Sequence, residues 1–317
     1  MAEQRDLRAR LAELNRGPLR QPPQPQDAEV AALRKRLREA HAPDESSPGT
    51  EPLRFARDLP RATPRALPAL PAGVPIPLEA AIVGESLTQG EWGSYFSRLV
   101  RVEAVEGKRA TLPLLLQRAF ADIAHPCRAR LCRMGAADDV GLEHLLFLDL
   151  ETTGLAHSPL FLIGALAWED GVMVVRQFLA RDYGEEAAAI AAFVEYAQAR
   201  RVLLTFNGKS FDAPYLRLRA INHRVPCPLR HVHFDLLHAS RRTWRNVLPN
   251  CKLQTLEQHI CGHPPRQGDI PGHLIPDAYH AFVRTGDARQ LAQILQHNLL
   301  DLLTLAELLT HLPPLEG

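Results

Sequence analysis

The chain has 317 residues, 46% of them hydrophobic and 23% charged, enough to bury one large domain with a smaller attachment; a fibrous or wholly disordered polymer is excluded. A formal net charge of +1 excludes a globally basic surface, so any nucleic-acid affinity must come from a local patch or a metal. Five cysteines form no CxxC pair and leave an odd one over, no apolar run reaches the ~18–20 residues that span a bilayer, and the N-terminus lacks a signal peptide's apolar core, so a reducing, cytoplasmic setting without a membrane partner is expected.

Half of the 26 prolines fall before Glu79, interleaved with Gln, Arg and Ala, so residues 1–75 are expected to form a disordered Pro/Arg-rich tail. Two short amphipathic pieces interrupt it, one with Leu7, Leu11 and Leu14 on a common face, the other with Val30, Leu33 and Leu37. Isolated helices this short are marginal in water, and the expected reading is transient helices, with docking to a partner or membrane surface as the alternative. Residues 76–142 read as a small β-rich and helical lead-in, with glycines at 84, 90, 93 and 107 around Tyr95-Phe96 and the Leu99 to Val102 segment.

The main domain is expected over 143–312. Strands are predicted at Leu145–Glu151, Leu160–Trp168 and Val172–Leu179, the last two joined by Glu169-Asp170-Gly171, a hairpin signal that predicts an antiparallel meander. A helix over Glu185–Arg200, a strand over Val202–Phe206, a helix over Phe211–Arg224 and a fifth strand over His231–Leu237 follow. The remainder is predicted helical, over Leu253–Cys261, Pro276–Arg284 and Ala288–Leu312.

Three acid-bearing segments carry the chemistry. Asp149 and Glu151 stand two apart in the first strand, so both carboxylates leave the sheet on one face. Like charges there repel and lose hydration unless a cation neutralises them, and hard oxygen donors suit Mg²⁺ or Mn²⁺. The alternative is a strand end whose acids cap the next turn. Asp212 lies at a strand-to-helix turn, where a helix macrodipole alone favours an acid. Gly208-Lys209-Ser210 in that turn has the look of a P-loop end, but the motif needs a glycine where Leu203 stands, so an ATPase is excluded. His297 and Asp301, four apart in the last helix, share a face and can reach one site; a solvated face is the bland alternative.

In the order of its elements and of these acids, the chain resembles the DEDD superfamily of exonucleases on an RNase H-like fold. It looks most like the YprB-type branch, through Thr205-Phe-Asn-Gly-Lys-Ser-Phe-Asp-Ala-Pro, Arg241-Arg-Thr-Trp-Arg, Cys251-Lys-Leu followed by Leu256-Glu257, Asp269-Ile-Pro-Gly and His297-Asn. The resemblance implies an α/β fold, a mixed five-stranded sheet flanked by helices. It implies that Asp149, Glu151, Asp212 and Asp301 hold two Mg²⁺ or Mn²⁺ ions and that His297 is the general base of a 3′-to-5′ exonuclease, with a role in DNA repair. Histidine members usually space this residue five before the acid; here it stands four before, the tyrosine-like spacing. RNA as substrate, or a non-catalytic nucleic-acid-binding module, are the alternatives.

Arg241, Arg242, Trp244, Arg245 and Lys252 combine cations with an aromatic, the composition that contacts phosphates and stacks bases of a single strand. The alternative is a basic helix face with Trp244 as a core anchor. Asn207 and Lys209 are expected to flank the active site, and Asp235 to cap or to support the ligands. The Pro-rich tail is a candidate docking segment for a helicase or repair partner. His259, Cys261 and His263 carry zinc-type donors, but alternate spacing at a helix end sends them to different faces and no fourth ligand is evident, so zinc is not expected.

Overall fold

The computed structural model describes residues 73–122, 124–135, 139–154 and 158–314; the two amphipathic pieces, and all but the last three residues of the expected tail, lie outside the described residues. In chain order the elements are α1 (Leu78–Ala81), β1 (Glu85–Thr88), β2 (Ser94–Arg101), α2 (Leu112–Ala121), α3 (Pro126–Arg133), β3 (Leu145–Thr152), β4 (Leu160–Glu169) and β5 (Val172–Leu179). There follow α4 (Glu186–Ala197), β6 (Val202–Thr205), α5 (Asp212–Asn222), β7 (Val232–Asp235), α6 (Leu236–Trp244), α7 (Leu253–His259), α8 (Ile275–Thr285) and α9 (Arg289–Thr310).

The strands form one mixed sheet in the order β1-β2-β5-β4-β3-β6-β7. It has seven strands where five were expected. The two additional strands come from the lead-in: β2 pairs antiparallel with β5, from Phe96 opposite Leu179 to Arg101 opposite Val174, and β1 pairs with β2. Without them β5 would present a row of unpaired main-chain groups at the sheet edge. The expected meander β3-β4-β5 is antiparallel, and its hairpin turns at Asp170 and Gly171, both at positive φ (47° and 81°), as a tight two-residue turn requires. β6 and β7 run parallel to β3. The fifth predicted strand ends at Asp235, two residues early, because that carboxylate accepts a hydrogen bond from Leu237 N (3.1 Å) and starts α6.

Alternation along β3 divides the core. Leu146, Leu148 and Leu150 pack with Ile163, Ala165 and Phe178 against Ile190 and Phe193 of α4 and Leu216 of α5. The opposite face of β3 carries Asp149, whose carboxylate meets α9 through Asn298, and on that side of the sheet Phe161 and Leu162 pack with Tyr279, Ile294 and Leu295. Among the described residues, no helix is long and apolar enough to cross a membrane.

A single row of side chains crosses four strands beneath α9. Arg98, Gln177, Gly164 and Asp149 are successive register partners. Gly164 leaves the space into which Asn298 fits: a Cβ there would stand 2.1 Å from Asn298 Oδ1. Gly164→Ala is therefore expected to destabilise the protein by roughly 1–3 kcal/mol, the usual cost of overpacking. Gly272→Ala, where nothing lies within 4 Å and φ is not positive, is expected to be near neutral in the same denaturant titration.

Candidate active site

Each acid is delivered by a different constraint. Asp149 projects from β3 towards α9, where Asn298 Nδ2 donates to its Oδ2 (2.8 Å) and to its main-chain oxygen (3.2 Å). Asn298 is held in turn by Gln177, whose Nε2 donates to Asn298 Oδ1 (2.8 Å) and to Leu295 O (2.7 Å), and Arg98 Nη1 closes the row on Gln177 Oε1 (2.9 Å). Gln177 and Asn298 are both fully buried, so this chain of amides has a fixed orientation. Asp212 opens α5 and is buried, and the main-chain N–H groups of Asp212 and of Leu150 in β3 favour its charged form.

Asp301 comes from α9. Its Oδ1 accepts from Arg266 Nη2 (2.6 Å), and its Oδ2 lies 3.5 Å from His297 Nε2. Arg266 also donates from Nε to Glu257 Oε2 (2.8 Å), and Glu257 pairs with Arg109. The other ring nitrogen of His297, Nδ1, contacts Asp269 Oδ1 (2.8 Å), while Gln254 Nε2 donates to Asp269 Oδ2 (3.0 Å).

Burial, more than any neighbour, pushes Asp149 well above the usual carboxylate range, and the charges of Asp301, Glu151 and Asp212 add to it. Burial likewise lifts Glu151 to about 8, with Asp301, Asp212 and Asp269 adding to the shift and His297 opposing it. Asp212 is lifted by burial to about 7 in spite of its two main-chain donors. For His297 burial works downward, but the bond to Asp269 and the charges of Asp301 and Glu151 prevail and raise it to about 9. Asp269 is lowered: the bond to His297 and the Arg266 charge outweigh its burial. The acids thus act on one another as a set with a deficit of positive charge; hard carboxylate oxygens are the donor type that Mg²⁺ or Mn²⁺ takes, although no three of these ligand atoms lie within 4.8 Å of one another.

The remaining predicted residues divide. Asn207, at φ 68°, and Lys209 are exposed on the turn before α5, and that turn is fastened by Asp235, whose Oδ1 accepts from Asn207 N (2.8 Å) and Oδ2 from Lys209 N (3.0 Å). Asp235 is therefore the supporting and capping group expected of it. Arg241, Arg242, Arg245 and Lys252 are exposed. Trp244 is a correction: only 4% of it is accessible, so it anchors α6 in the core and has no face to offer a base.

Sequence reasoning missed Asp269, Arg266, Asn298 and Gln177 as parts of the site. The Asp269-Ile-Pro-Gly and His297-Asn pairs were visible as motifs, but nothing in their spacing says that Asp269 meets His297 across 28 residues.

A carboxyl whose folded pKa exceeds its unfolded value binds its proton more tightly when folded, so it adds stability at low pH that is lost as pH rises through the folded pKa. Glu151 and Asp212, at about 8 and about 7, and His297, at about 9, all act in this direction. In EDTA the melting temperature is therefore expected to fall as pH rises from about 4, the unfolded carboxylate value, to about 8. Excess Mg²⁺ is expected to flatten that slope, and Asp149→Asn to raise the melting temperature at neutral pH in EDTA.

Residues 146–313, more than half of the chain, match the family profile of the RNase H superfamily. The Bacillus subtilis (strain 168) protein YprB, uncharacterized, is 37% identical over 176 residues, covering 54% of this chain and 42% of YprB. A DNA polymerase of Pyrococcus glycovorans is 27% identical over 222 residues, 59% of this chain and 28% of the polymerase. Among solved structures, the family B DNA polymerase of the hyperthermophilic archaeon Pyrobaculum calidifontis aligns with a TM-score of 0.43 at 18% identity, over 52% of this chain and 24% of that one. The matched segments thus span less than half of these relatives' own length. With the profile running from the second residue of β3 to just beyond α9, through every acid of the cluster, the chain belongs to the RNase H superfamily.

Proposed function

We propose that the chain is a nuclease that hydrolyses phosphodiester bonds in DNA from the 3′ end, with Asp149, Glu151, Asp212 and Asp301 holding two Mg²⁺ or Mn²⁺ ions. The observation that carries this reading is the set of four carboxylates, three of them pushed above their usual pKa by burial and most of these shifts enlarged by their neighbours, with Arg266 as the counter-charge hydrogen-bonded to Asp301. Such a pair of cations supplies a water of lowered pKa and neutralises the leaving oxygen.

The chain's own residues set the geometry around that chemistry. Asp269 fixes the His297 ring through Nδ1, which leaves Nε2 on the Asp301 side to take the proton of the attacking water. A histidine raised to about 9 is protonated at neutral pH and cannot act as a base. The bond to Asp269 holds its proton most strongly and the charges of Asp301 and Glu151 come next; neutralising those two carboxylates lowers the His297 pKa towards the range of a base. Asn207, Lys209 and the exposed cations Arg241, Arg242, Arg245 and Lys252 provide phosphate contacts for the strand. The relationship to a protein named as a DNA polymerase favours DNA over RNA, and a setting in DNA repair rests on the YprB-type resemblance.

Matched 3′- and 5′-labelled DNA and RNA, single-stranded and duplex, incubated with Mg²⁺ or Mn²⁺ test the proposal. DNA degradation from the 3′ end is expected, abolished by EDTA and reduced by at least ~10²-fold in Asp149→Asn. Asp269→Asn is expected to lower kcat by roughly 10–100-fold with little change in KM and to shift the lower limb of the pH profile. Degradation that persists in EDTA or in Asp149→Asn would remove the two-ion reading, and preferential loss of RNA would reassign the substrate.

A further inference from the structure

Away from the acids, the turn after α7 meets the end of α9 at a cluster of sulfur, nitrogen and oxygen donors. Ligand atoms of Cys261, Glu307 and His311 lie within 4.8 Å of one another; among the described residues this is the trio of Cys, His, Asp or Glu donors gathered that tightly. His263 Nε2 stands 2.7 Å from Glu307 Oε2. Glu307 and His311, four apart, share one face at the end of α9.

A turn, and not a helix, makes this meeting possible. Past His259 the chain bends back on α7 through main-chain bonds from Cys261 N to Leu256 O (3.2 Å) and from His263 N to Glu257 O (3.1 Å), with Gly262 in the left-handed region (φ 72°). Continued helix would have sent Cys261 and His263 to different faces. Cys261 is buried, the side chains of His263 and Glu307 are 9% and 13% accessible, and exposed His311 leaves the cluster an entrance from solvent.

The geometry points to a second metal site, for a borderline-soft divalent ion of the zinc class, ligated by Cys261 Sγ, Glu307 and His311 with a water reaching the fourth position past exposed His311, and with His263 orienting Glu307 through its other oxygen. Tetrahedral zinc with bonds of about 2.0–2.3 Å sets its donors roughly 3.5 Å apart, so donors that lie within 4.8 Å of one another close on the ion by side-chain rotation. Binding releases the Cys261 thiol proton to solvent as the sulfur becomes a thiolate ligand. Thiolate and imidazole select zinc over magnesium, whereas the four carboxylates across α9 make the opposite choice, so the two sites discriminate by donor chemistry. An ion here fastens the turn after α7, the helix that carries Glu257, to α9, which carries His297 and Asp301.

Co²⁺ titration of the reduced, chelator-stripped full chain in excess Mg²⁺ tests this without reference to nuclease activity. A near-ultraviolet thiolate-to-cobalt band saturating at one equivalent is expected, together with a higher melting temperature in Zn²⁺. Cys261→Ser is expected to abolish the band, His311→Ala, at an exposed position that leaves the fold intact, to weaken Co²⁺ affinity by ~10-fold or more, and Asp149→Asn to leave the band unchanged. Absence of the band in the wild type, or its survival in folded Cys261→Ser, overturns the site.

Discussion

The crowding of four buried or half-buried carboxylates, which lose hydration and repel one another, is the constraint around which this domain is built. In water, unit charges a few ångströms apart interact by about 1 kcal/mol; under partial burial the same separation is worth several times more, and desolvation adds to it. The fold opposes that penalty at each acid. Asn298 bonds Asp149, main-chain N–H groups bond Asp212, Arg266 pairs with Asp301, and His297 sets its charge against Glu151. These groups do not remove the penalty: burial, with the neighbouring charges added for Asp149 and Glu151, still holds Asp149, Glu151 and Asp212 above the usual carboxylate range.

Rigidity in the sheet is what permits the acids to be held there. β3 lies between an antiparallel and a parallel neighbour, so its register is pinned on both edges, and a slip of one residue would turn Asp149 and Glu151 into the face packed against α4. Gly164 and Asn298 then set how closely α9 approaches β4, and through Asn298 the helix is tied to the carboxylate itself. The backbone, the packing of a glycine and the orientation of an acid are one constraint expressed three times.

The strands and helices of the central domain were legible because each has a local cause: alternation in β3, Asp170-Gly171 between β4 and β5, an alanine-rich apolar face in α4. Asp149 and Glu151 were legible because period-two spacing places both on one face, and Asp301 because a four-residue spacing sets it beside His297; Asp212 was legible through the order of the acid-bearing segments and the family resemblance alone. The edge strands were not, since β1 is polar and largely exposed and acquires its strand identity by pairing with β2. Trp244 misled for a related reason: cations beside an aromatic describe a composition, whereas the face on which the ring falls is decided by packing. The supporting groups of the site were illegible because each acts across a long sequence separation, Asp269 on His297 and Gln177 on Asn298, and only the folded chain brings such partners together.

The lead-in is bound into the site by charge as well as by strands. Arg109, before α2, is buried and pairs with Glu257, with a further bond from Nη2 to Thr304 Oγ1 (3.3 Å). Glu257 passes the interaction to Arg266, and Arg266 to Asp301, so charge alternates along four side chains from the lead-in to an acid of the cluster. A buried pair gains little over apolar packing, but removing one member strands the other charge in a medium that cannot solvate it. Without Arg109, Glu257 would draw Arg266 more strongly to itself, and the counter-charge would leave Asp301. The position of that carboxylate is therefore set by the whole row, and residues 76–142 are as much a part of its environment as the helix that carries it.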